Sequence, residues 1–434
     1  MVGLGKTGLS CVRYFAATGV PCAIADTRSA PPGLGEVQRD YPHLPLRLGR
    51  FDEEWFANFE RLIVSPGVAV SEPAVQAARR AGSEVIGDIE LFARHANAPV
   101  IAITGSNGKS TVTTLVERLL AQLHCRVLAG GNLGEPVLDL LKQPAPDYYV
   151  LELSSFQLET LASLRPAVAS IVNVSPDHMD RYTSQRDYAQ AKARVYRRAG
   201  ICIYNADDRQ TRAFLPSRAK RNSFTLTPPR GRQFGVRCVA GRPWLAQGKR
   251  AFLRADRIGL RGRHNVANIL AACAIVDALG FDVADAVPAI AAFTGLPHRM
   301  QSVGEHAGVQ WINDSKGTNV GATVAALQGL SAPIVLIAGG DGKGADFAPL
   351  RDAVGRTRAV VLIGRDAPAL RTALQGSTEL LDAVDMHDAV AKASSLARPG
   401  DVVLLSPACA SYDMFDNYQQ RGDQFVAAVR RLSV

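Results

Sequence analysis

The sequence predicts an α/β protein built from three domains, and three observations carry that prediction. The chain has 434 residues, and at about 150 residues per domain its length favours about three domains. Short apolar runs of strand type alternate with helical patterns along most of the chain, which is typical of parallel sheets covered by helices. Glycine-rich turns precede helical patterns at two places in the first quarter of the chain, as they do where Rossmann-like and P-loop folds bind phosphates.

Composition limits the classes of function. Hydrophobic residues make up 47% of the chain and charged residues 21%, as in ordinary globular proteins. No apolar run is long enough for a membrane span and no signal segment is recognisable, so we expect a cytoplasmic protein without a membrane partner. The seven cysteines form no CxxC pair and are expected to be reduced. The net charge of +9 is widely spread, which disfavours nucleic acid and favours small anionic ligands. We also expect a monomer.

The first domain, residues 1–88, is predicted to be Rossmann-like. GLGKTG at Gly3–Gly8 precedes a helical pattern, a second strand pattern ends at Asp26, and a third ends in the turn Ser65–Gly67. Taken alone, the glycine motif with Asp26 is typical of a dinucleotide site, in which the acidic residue binds a ribose. Only two residues precede the motif, whereas strands run about 5–6 residues. We therefore expect the natural reading frame to begin upstream of this start.

The second domain, residues 89–294, is predicted to be a P-loop ATPase-like α/β domain with extra strands. The strand pattern PVIAIT leads into TGSNGKST and then into a helix with one apolar face. Glycines let backbone amides approach phosphate oxygens, and the helix N-terminus favours the same negative charge. The predicted phosphate contacts are Gly105, Ser106, Asn107, Gly108, Lys109, Ser110 and Thr111. Lys109 would reach the β- and γ-phosphates, and Ser110 or Thr111 would meet Mg²⁺.

The match to GxxxxGK[ST] is incomplete, because Ile103 stands where the first glycine is expected. An ordinary glycine turn capped by Ser110 is the alternative interpretation. Between Arg209 and Arg263 the sequence becomes rich in Arg and Pro and favours antiparallel strands and loops.

Polar side chains follow two further strand patterns of this domain. Glu152 ends the strand in LELSSFQLE, and Asp177, His178 and Asp180 follow the next strand in NVSPDHMDRY. Strand ends of α/β sheets face the ligand crevice, so these side chains are candidate metal ligands. An exposed strand-end carboxylate remains the alternative for Glu152. Spacing alone makes Lys192, on the next helical pattern, a solvated surface lysine.

The third domain, residues 295–434, is predicted to be a second Rossmann-like, doubly wound unit. Its strand patterns are VQWIND, PIVLIAGG, AVVLIG and DVVLLS, separated by Ala-rich helical stretches. Lys343 lies in GGDGKGADF, which is similar to a second phosphate loop. Gly344 replaces the hydroxyl residue that such a loop needs for its metal, so we do not expect an independent nucleotide site there.

An ordered set of motifs strongly resembles the Mur ligase family of peptidoglycan biosynthesis, and within it the glutamate-adding branch. The motifs are TGSNGKST, LELSSFQLE, NVSPDHMDRY, RGRHNVANILAA, LPHR, NDSKGTN, GGDGKGADF and SPACASYDMFDNYQQRG. The resemblance implies domains that bind, in order, a UDP-substrate, ATP and an amino acid. It also implies that ATP phosphorylates the carboxylate of UDP-N-acetylmuramoyl-L-alanine and that the amine of D-glutamate attacks the acyl phosphate. Both substrates are small molecules.

The resemblance also assigns roles around the nucleotide. Lys109, His178 and Lys192 correspond to catalytic positions, with Lys192 carrying a carbamate that makes it a metal ligand. Two Mg²⁺ sites are implied, with ligands from Ser110, Glu152, His178 and the carbamylated Lys192. Asn268 corresponds to an adenine contact, and Arg299 with Asp314 correspond to further ATP contacts. Asp314 as a strand-end cap remains the structural alternative.

The remaining implied contacts belong to the two substrates. For the UDP-substrate they are Lys6, Thr7, Asp26, Thr27, Arg28, Ser65, Gly67 and Asn132. For glutamate they are Lys316, Thr318, Lys343, Ser411, Tyr412 and Tyr418. Tyr412 and Tyr418 depart from the family pattern, in which Leu and Phe are common at these positions.

Three alternative functions remain at this point. One is another amide ligase of the same superfamily, similar to folylpolyglutamate synthase. The others are a dinucleotide-dependent dehydrogenase led by GLGKTG, and a regulatory nucleotide-binding protein without catalysis. Neither of the last two explains Lys109, Glu152 and His178 together.

Overall fold

The computed structural model describes residues 1–132, 134–260 and 262–432, so Leu133 and Arg261, within two of the motifs above, lie outside it. The chain forms two compact units, each assembled from separate segments. The first consists of Met1–Val174, Tyr188–Leu253 and Ile269–Ala289. The second consists of Ser175–Asp187, Arg254–Asn268 and Ile290–Val434. The predicted α/β class is confirmed.

The N-terminal part of the first unit is a parallel sheet with helices around it. Its strands are β1 (Ile24–Asp26), β2 (Leu46–Leu48), β3 (Arg61–Ile63) and β4 (Glu84–Ile86). Its helices are α1 (Lys6–Thr18), α2 (Leu34–Asp40), α3 (Glu53–Ala57), α4 (Pro73–Arg80) and α5 (Asp88–Ala93). β1 pairs with β2 and β3 with β4, and Val2 forms parallel bridges to Ala25 and Val64. Val2 therefore stands where a Rossmann-like sheet has its first strand.

The remainder of the first unit is built on a larger sheet. Its strands are β5 (Val100–Thr104), β6 (Val127–Gly131), β7 (Tyr148–Glu152), β8 (Val168–Ile171), β9 (Ile201–Asn205), β10 (Lys220–Phe224), β11 (Phe234–Val239), β12 (Arg242–Gln247) and β13 (Arg250–Arg254). In the described chain their spatial order is β13-β12-β11-β10-β9-β8-β5-β7-β6. The strands from β5 to β10 pair in parallel.

Helices lie along residues 109–292 of the chain. They are α6 (Lys109–Gln122), α7 (Val137–Leu140), α8 (Ser155–Glu159), α9 (Gln185–Ala193), α10 (Arg209–Ala213), α11 (Arg263–Ala278) and α12 (Val287–Ala292). Short 3₁₀ turns form at Arg194–Tyr196, Ala255–Arg257 and Val283–Ala286. The predicted apolar face of α6 is confirmed, because Val112, Leu115, Val116, Leu119 and Leu120 are fully buried.

The prediction of antiparallel strands between Arg209 and Arg263 is right for only part of that segment. β11 and β12 are antiparallel, but β10 pairs in parallel with β9 along its whole length, and β11 bridges in parallel to β10. The short helix α10 lies between β9 and β10 in the chain and provides the crossover that a parallel pair requires.

The second unit contains a doubly wound sheet, as predicted. Its strands are β14 (Gln301–His306), β15 (Val309–Asn313), β16 (Ile334–Gly339), β17 (Thr357–Ile363), β18 (Glu379–Asp382) and β19 (Val402–Leu405). Its helices are α13 (Val320–Gln328), α14 (Leu350–Val354), α15 (Ala367–Leu374), α16 (Met386–Leu396) and α17 (Tyr418–Arg431). The order is β14-β15-β19-β16-β17-β18 among the described residues, with β14 antiparallel and the others parallel.

The core of this unit lies on both faces of its sheet. Leu336 and Ala338 of β16 belong to one buried apolar cluster, and Val335 and Ile337, alternating with them, belong to the other. A strand that is buried on both faces has a continuous apolar sequence, which is why PIVLIAGG was predicted to be a strand. β19 returns between β15 and β16, so the carboxyl ends of these strands form the switch point at which α/β sheets bind ligands.

No helix in the part of the chain described here is both long enough and apolar enough to cross a membrane.

Candidate active site

The loop from Gly105 to Gly108 joins β5 to α6 and has the geometry of a phosphate-binding turn. Gly108 is the N-cap of α6 with φ of 80°, a left-handed conformation that favours glycine. Ser110 and Thr111, in the first turn of the helix, are buried. The first amides of a helix have no partner within it, so this N-terminus is suited to bind an anion. The departure at Ile103 does not disturb the turn, because Ile103 is buried inside β5.

Two lysine amines meet at one carbonyl of this loop. Lys109 Nζ donates to Gly105 O at 2.9 Å and to Ser106 O at 3.0 Å. Lys192 Nζ donates to the same Gly105 O at 2.8 Å and lies 4.4 Å from the centre of the Tyr188 ring. Lys192 is only 2% exposed, so the spacing-based interpretation of a solvated surface lysine is wrong. Helical spacing could not show that α9 places this side chain against the loop of a distant segment.

The loop is held by two residues that the sequence did not single out. Asn173, just after β8, accepts from the amide of Asn107 at 2.8 Å and donates to its carbonyl at 2.9 Å. The hydroxyl of Ser106 donates to that of Tyr188 at 3.2 Å. Asn173 could have been found, because β8 is next to β5 and strand ends in one sheet share an edge. Tyr188 gave no comparable signal.

Oxygen donors for a metal are present in the first unit. Glu152 ends β7 and is buried, and its Oε1 accepts from Asn132 Nδ2 at 2.8 Å. Mg²⁺ prefers oxygen ligands and keeps sites open for water or phosphate. Among the described residues no group of three or more His, Cys, Asp or Glu side chains is arranged to hold a metal. The carboxylate of Glu152 and the hydroxyl of Ser110 are oxygen groups of the kind that bind Mg²⁺.

Asp177 and His178 belong to the second unit, together with Lys343. Lys343 Nζ donates to Asp177 Oδ1 at 2.9 Å, and Asn319 Nδ2 donates to Asp177 Oδ2 at 3.1 Å. The backbone amide of His178 donates to Asp177 Oδ1 at 2.9 Å, and its imidazole is partly exposed. His178 has φ of 57°, which is uncommon outside glycine and often marks functional sites. The ordering of this turn by Asp177 was not visible in the sequence.

The predicted UDP contacts surround the first turn of α1. Gly8 must be glycine, since a Cβ there would lie 2.0 Å from the carbonyl oxygen of Gly3. Lys6 is exposed and donates to Gly134 O at 2.6 Å, and Thr7 is partly exposed beside it. The helix start, with Lys6 and Thr7, is thus open to an anion.

Asp26 organises the end of β1. It is buried, and it accepts from the amide of Leu4 at 2.7 Å and from the amide and guanidinium of Arg28. Burial opposes its ionisation, but these hydrogen bonds outweigh burial and lower the pKa of Asp26 to about 2. Thr27 and the side chain of Arg28 are exposed next to it.

The turn after β3 lies beside the glycine motif. The amide of Ser65 donates to Val2 O at 2.9 Å, and a Cβ on Gly3 would lie 2.9 Å from the Cβ of Ser65. Gly67, two residues on, is exposed. Ser65 is therefore close to the glycine motif that precedes α1.

Asp314 lies at the carboxyl end of β15 in the second unit. Its carboxylate accepts from Ser406 Oγ at 2.8 Å and from the amide of Met300 at 3.2 Å. Burial raises the pKa of Asp314 to about 6. Arg299, next to Met300, is partly exposed and its charge acts on Asp314. Asn268, the predicted adenine contact, is buried in α11 and donates to Asn265 Oδ1 at 3.3 Å.

The predicted glutamate contacts other than Lys343 lie on segments near the switch point. Lys316 Nζ is 4.5 Å from the centre of the ring of Tyr418. Tyr418 is the first residue of α17. Thr318 is partly exposed and Ser411 is buried. Tyr412 is 76% exposed, so its ring lies in solvent in this structure.

Arg421 is a further residue of this region that the sequence interpretation missed. It is 1% exposed, and burial lowers the pKa of its guanidinium to about 10. Its nitrogens donate to Ser315 Oγ and to the carbonyls of Ser315, Cys409 and Ala410. The residue stood inside the quoted motif SPACASYDMFDNYQQRG, but an arginine on a helix is usually exposed.

Family models match three successive stretches of the chain. Residues 1–87 match the MurD-like N-terminal domain of Mur ligases, residues 103–276 the Mur ligase middle domain, and residues 298–409 the Mur ligase glutamate ligase domain. These matches follow the predicted order of domains and extend over most of the sequence.

Similar proteins span the full chain. A UDP-N-acetylmuramoylalanine–D-glutamate ligase of Nitrosococcus oceani is 52% identical over 100% of this chain and 96% of its own length. The corresponding ligase of Pseudomonas aeruginosa is 48% identical over 100% of this chain and 98% of its own length. A solved UDP-N-acetylmuramate–alanine ligase of Thermotoga maritima has a TM-score of 0.61 at 19% identity, covering 99% of this chain and 98% of its own. At that identity the last comparison concerns the fold alone.

Proposed function

The chain belongs to the Mur ligase family, and from that premise we propose that it joins D-glutamate to UDP-N-acetylmuramoyl-L-alanine at the expense of ATP. The enzyme is an ATP-dependent ligase of peptidoglycan precursor synthesis. We propose domains for the UDP-substrate, ATP and the amino acid at 1–88, 89–294 and 295–434, and a cytoplasmic monomer that takes only small molecules. The family matches at 1–87, 103–276 and 298–409 support these boundaries.

The observation that carries the proposal is the glycine turn on which Lys109 and Lys192 both converge. A helix N-terminus, the Lys109 amine and the buried hydroxyls of Ser110 and Thr111 lie at this turn and can offset the charge of a triphosphate. We assign the ATP phosphates to Gly105–Thr111, and further nucleotide contacts to Asn268, Arg299 and Asp314.

In the first step the alanyl carboxylate oxygen attacks the γ-phosphorus of ATP, the bond to the bridging oxygen breaks, and ADP leaves with that electron pair. Lys109 and the loop amides bind the phosphate oxygens as charge develops on them. Mg²⁺, when bound, neutralises phosphate charge and aligns the reacting oxygens. We propose two such ions, with ligands drawn from Ser110, Glu152, His178 and a modified Lys192.

Lys192 is proposed to carry a carbamate. A neutral amine adds to CO₂ and releases one proton, which converts a potential cation into an anionic oxygen ligand. Lys192 is buried against the loop and Tyr188, as a side chain that joins a metal site beside the phosphates would be. This modification would supply an oxygen donor where the unmodified side chain offers only hydrogen-bond donors.

In the second step the glutamate amine attacks the carbonyl carbon of the acyl phosphate. The bond from this carbon to the phosphate oxygen breaks, inorganic phosphate leaves, and the amine loses a proton to solvent. The residues assigned to orient glutamate are Lys316, Thr318, Lys343, Ser411, Tyr412 and Tyr418. Lysines at 316 and 343 match the negative charges of its carboxylates.

The UDP moiety is assigned to the N-terminal sheet. Lys6 and Thr7 at the start of α1 are proposed to bind the diphosphate, and Asp26, Thr27 and Arg28 the uracil. Ser65 and Gly67 line the same end, and Asn132, hydrogen-bonded to Glu152, is assigned to the muramoyl part. Both carboxylate oxygens of Asp26 already accept hydrogen bonds from Leu4 and Arg28, so Thr27 and Arg28 are the exposed members of this set.

The test is phosphate release with purified protein, ATP and Mg²⁺. Release should require both UDP-N-acetylmuramoyl-L-alanine and D-glutamate, and L-glutamate should not replace the D-enantiomer. Release that depends instead on a folate and L-glutamate would identify the related amide ligase. No stimulation by the UDP-substrate and D-glutamate together rejects the proposal.

A further inference from the structure

Arg421, on the second turn of α17, binds groups from outside its own helix. Its Nε donates to Ser315 Oγ at 3.0 Å and one terminal nitrogen donates to Ser315 O at 2.8 Å. The other terminal nitrogen donates to Cys409 O and Ala410 O, both at 3.1 Å. One planar group therefore joins the segment after β15 to the segment after β19.

Both segments carry residues assigned to glutamate. Ser315 immediately precedes Lys316, and Ala410 immediately precedes Ser411. The helix of Arg421 begins at Tyr418, whose carbonyl accepts from Ser315 Oγ at 2.8 Å. The guanidinium thus lies where the backbones of three assigned contacts come together.

The loop that carries Lys343 is joined to the same point. Ala410 exchanges two backbone hydrogen bonds with Asp341, at 3.0 and 2.7 Å. Gly340 has φ of 128°, and a Cβ there would lie 3.3 Å from a terminal nitrogen of Arg421. The close approach leaves little room for any side chain at this position.

The guanidinium is buried and no carboxylate among the described residues forms an ion pair with it, although the charges of Asp413 and Asp314 act on it from farther away. Within the described residues all of its hydrogen-bond acceptors are carbonyl or hydroxyl oxygens, and it forms no ion pair. Burial of a cation costs free energy that neutral acceptors offset only in part. An apolar side chain would avoid that cost but would take the donor away from the carbonyls of Ser315, Cys409 and Ala410, so the specific contribution of the arginine is to join these segments.

We propose that Arg421 is a positioning residue for glutamate: its fork holds the Ser315–Thr318 segment, the Cys409–Ser411 segment and the start of α17 in one geometry. The inference rests on the proposed function, because it concerns the glutamate contacts assigned there. The role depends on the planar guanidinium, whose nitrogens donate in different directions. A lysine carries the same charge but cannot bridge both segments.

The experiment compares wild type with Arg421→Lys and Arg421→Met at a temperature well below each Tm. Both variants should raise the KM for D-glutamate at least about tenfold, because small misplacements of contacts cost this much or more. The KM values for ATP and the UDP-substrate should stay within about twofold. A merely structural role reduces the folded fraction, and hence kcat, without changing the KM of the molecules that remain folded.

A second readout removes glutamate from the assay. Hydroxylamine intercepts an acyl phosphate, so the rate of hydroxamate formation reports activation of the UDP-substrate alone. Both Arg421 variants should form hydroxamate at the wild-type rate while ligation to glutamate declines. Absence of hydroxamate in the wild type would count against the proposed function, whereas a wild-type KM for glutamate in the variants, or full rescue by Lys, overturns the role of Arg421.

Two further variants complete the test. Arg358→Gln breaks the ion pair between Arg358 and the buried Asp401. Asp401 immediately precedes β19, so this pair lies at the end of the strand opposite to the assigned glutamate contacts. This variant should lower Tm without changing the KM for glutamate. Ser315→Ala removes one hydroxyl and serves if the Arg421 variants do not fold. It should raise the KM for glutamate about threefold, which corresponds to a loss of about 0.7 kcal/mol of binding free energy. An unchanged KM contradicts the proposal.

Discussion

Lys343 and Asp177 form an ion pair at 2.9 Å in which both side chains are largely buried. The amine assigned to a substrate carboxylate is thus already fixed by a protein carboxylate, which Asn319 supports from the other oxygen. The lysine of GGDGKGADF, a segment similar to a phosphate loop, is therefore held next to Asp177 in this structure.

Asp177→Asn should lower Tm, because it leaves the Lys343 ammonium beside a neutral amide. A hydrogen bond to a charged group contributes about 1.5–3 kcal/mol, which corresponds to several degrees for a unit of this size. Asp388→Asn, which breaks the more exposed pair with Lys392, is the control and should shift Tm by about 2 °C or less. Scanning fluorimetry measures both, and equal shifts would contradict the importance of the buried pair.

Lys109→Ala should abolish turnover and leave the fold intact. The amine binds two loop carbonyls and is assigned to the triphosphate, so its loss should reduce kcat by at least about a thousandfold. Lys220→Ala, at an exposed lysine of β10, is the matched control. Phosphate release and circular dichroism of the two variants decide the question; appreciable turnover by Lys109→Ala would reject the assignment.

Lys192→Ala should lose activity and regain part of it when a short carboxylic acid such as acetate or formate is added. The acid would place a carboxylate where the carbamate is proposed, whereas Lys109→Ala should not respond to it. Turnover is measured against acid concentration for both variants. Full activity of Lys192→Ala without any acid means that the carbamate assignment is wrong.

Asp314 should make stability depend on pH between about 4 and 6. Its pKa is raised by burial to about 6, so in this range the folded state keeps a proton that the unfolded state has lost. The contribution of this group to the free energy of unfolding is therefore fully present below pH of about 4. It declines as the pH rises from about 4 to about 6 and does not change further above about 6. In Asp314→Asn this dependence disappears. Tm measured from pH 4 to 7 should decline less with pH in the variant, and parallel curves would contradict the shift.

The alternation of apolar strands and helical patterns predicted most of the central strands, because buried strands leave continuous apolar runs. It predicted β5 and β16 to within a residue or two at each end. Edge strands such as β2 and β18, with mixed polarity, gave no such run. Glu152 was found for the same reason, since position at a strand end is visible in the sequence, whereas Asp314 came from the family resemblance.

Contacts between distant segments were not predictable. Lys192 and Arg421 lie on helices whose patterns allow exposure, and only tertiary packing buries them. Asn173 and Tyr188 hold the phosphate loop through contacts that span more than sixty residues of sequence. The roles of Lys192 and Lys343 came from the family resemblance, because charge and spacing do not specify what a lysine binds.

The segment Ser175–Asp187 belongs to the second compact unit although about a hundred residues separate it from the rest of that unit's C-terminal part. A gene fragment that begins at residue 295 would encode the sheet from β14 to β19 but would lack Asp177, the partner of Lys343. This unit therefore cannot be exchanged between relatives as one contiguous cassette. A chimera that preserves it must take residues 175–187 and 254–268 from the same parent as the C-terminal part.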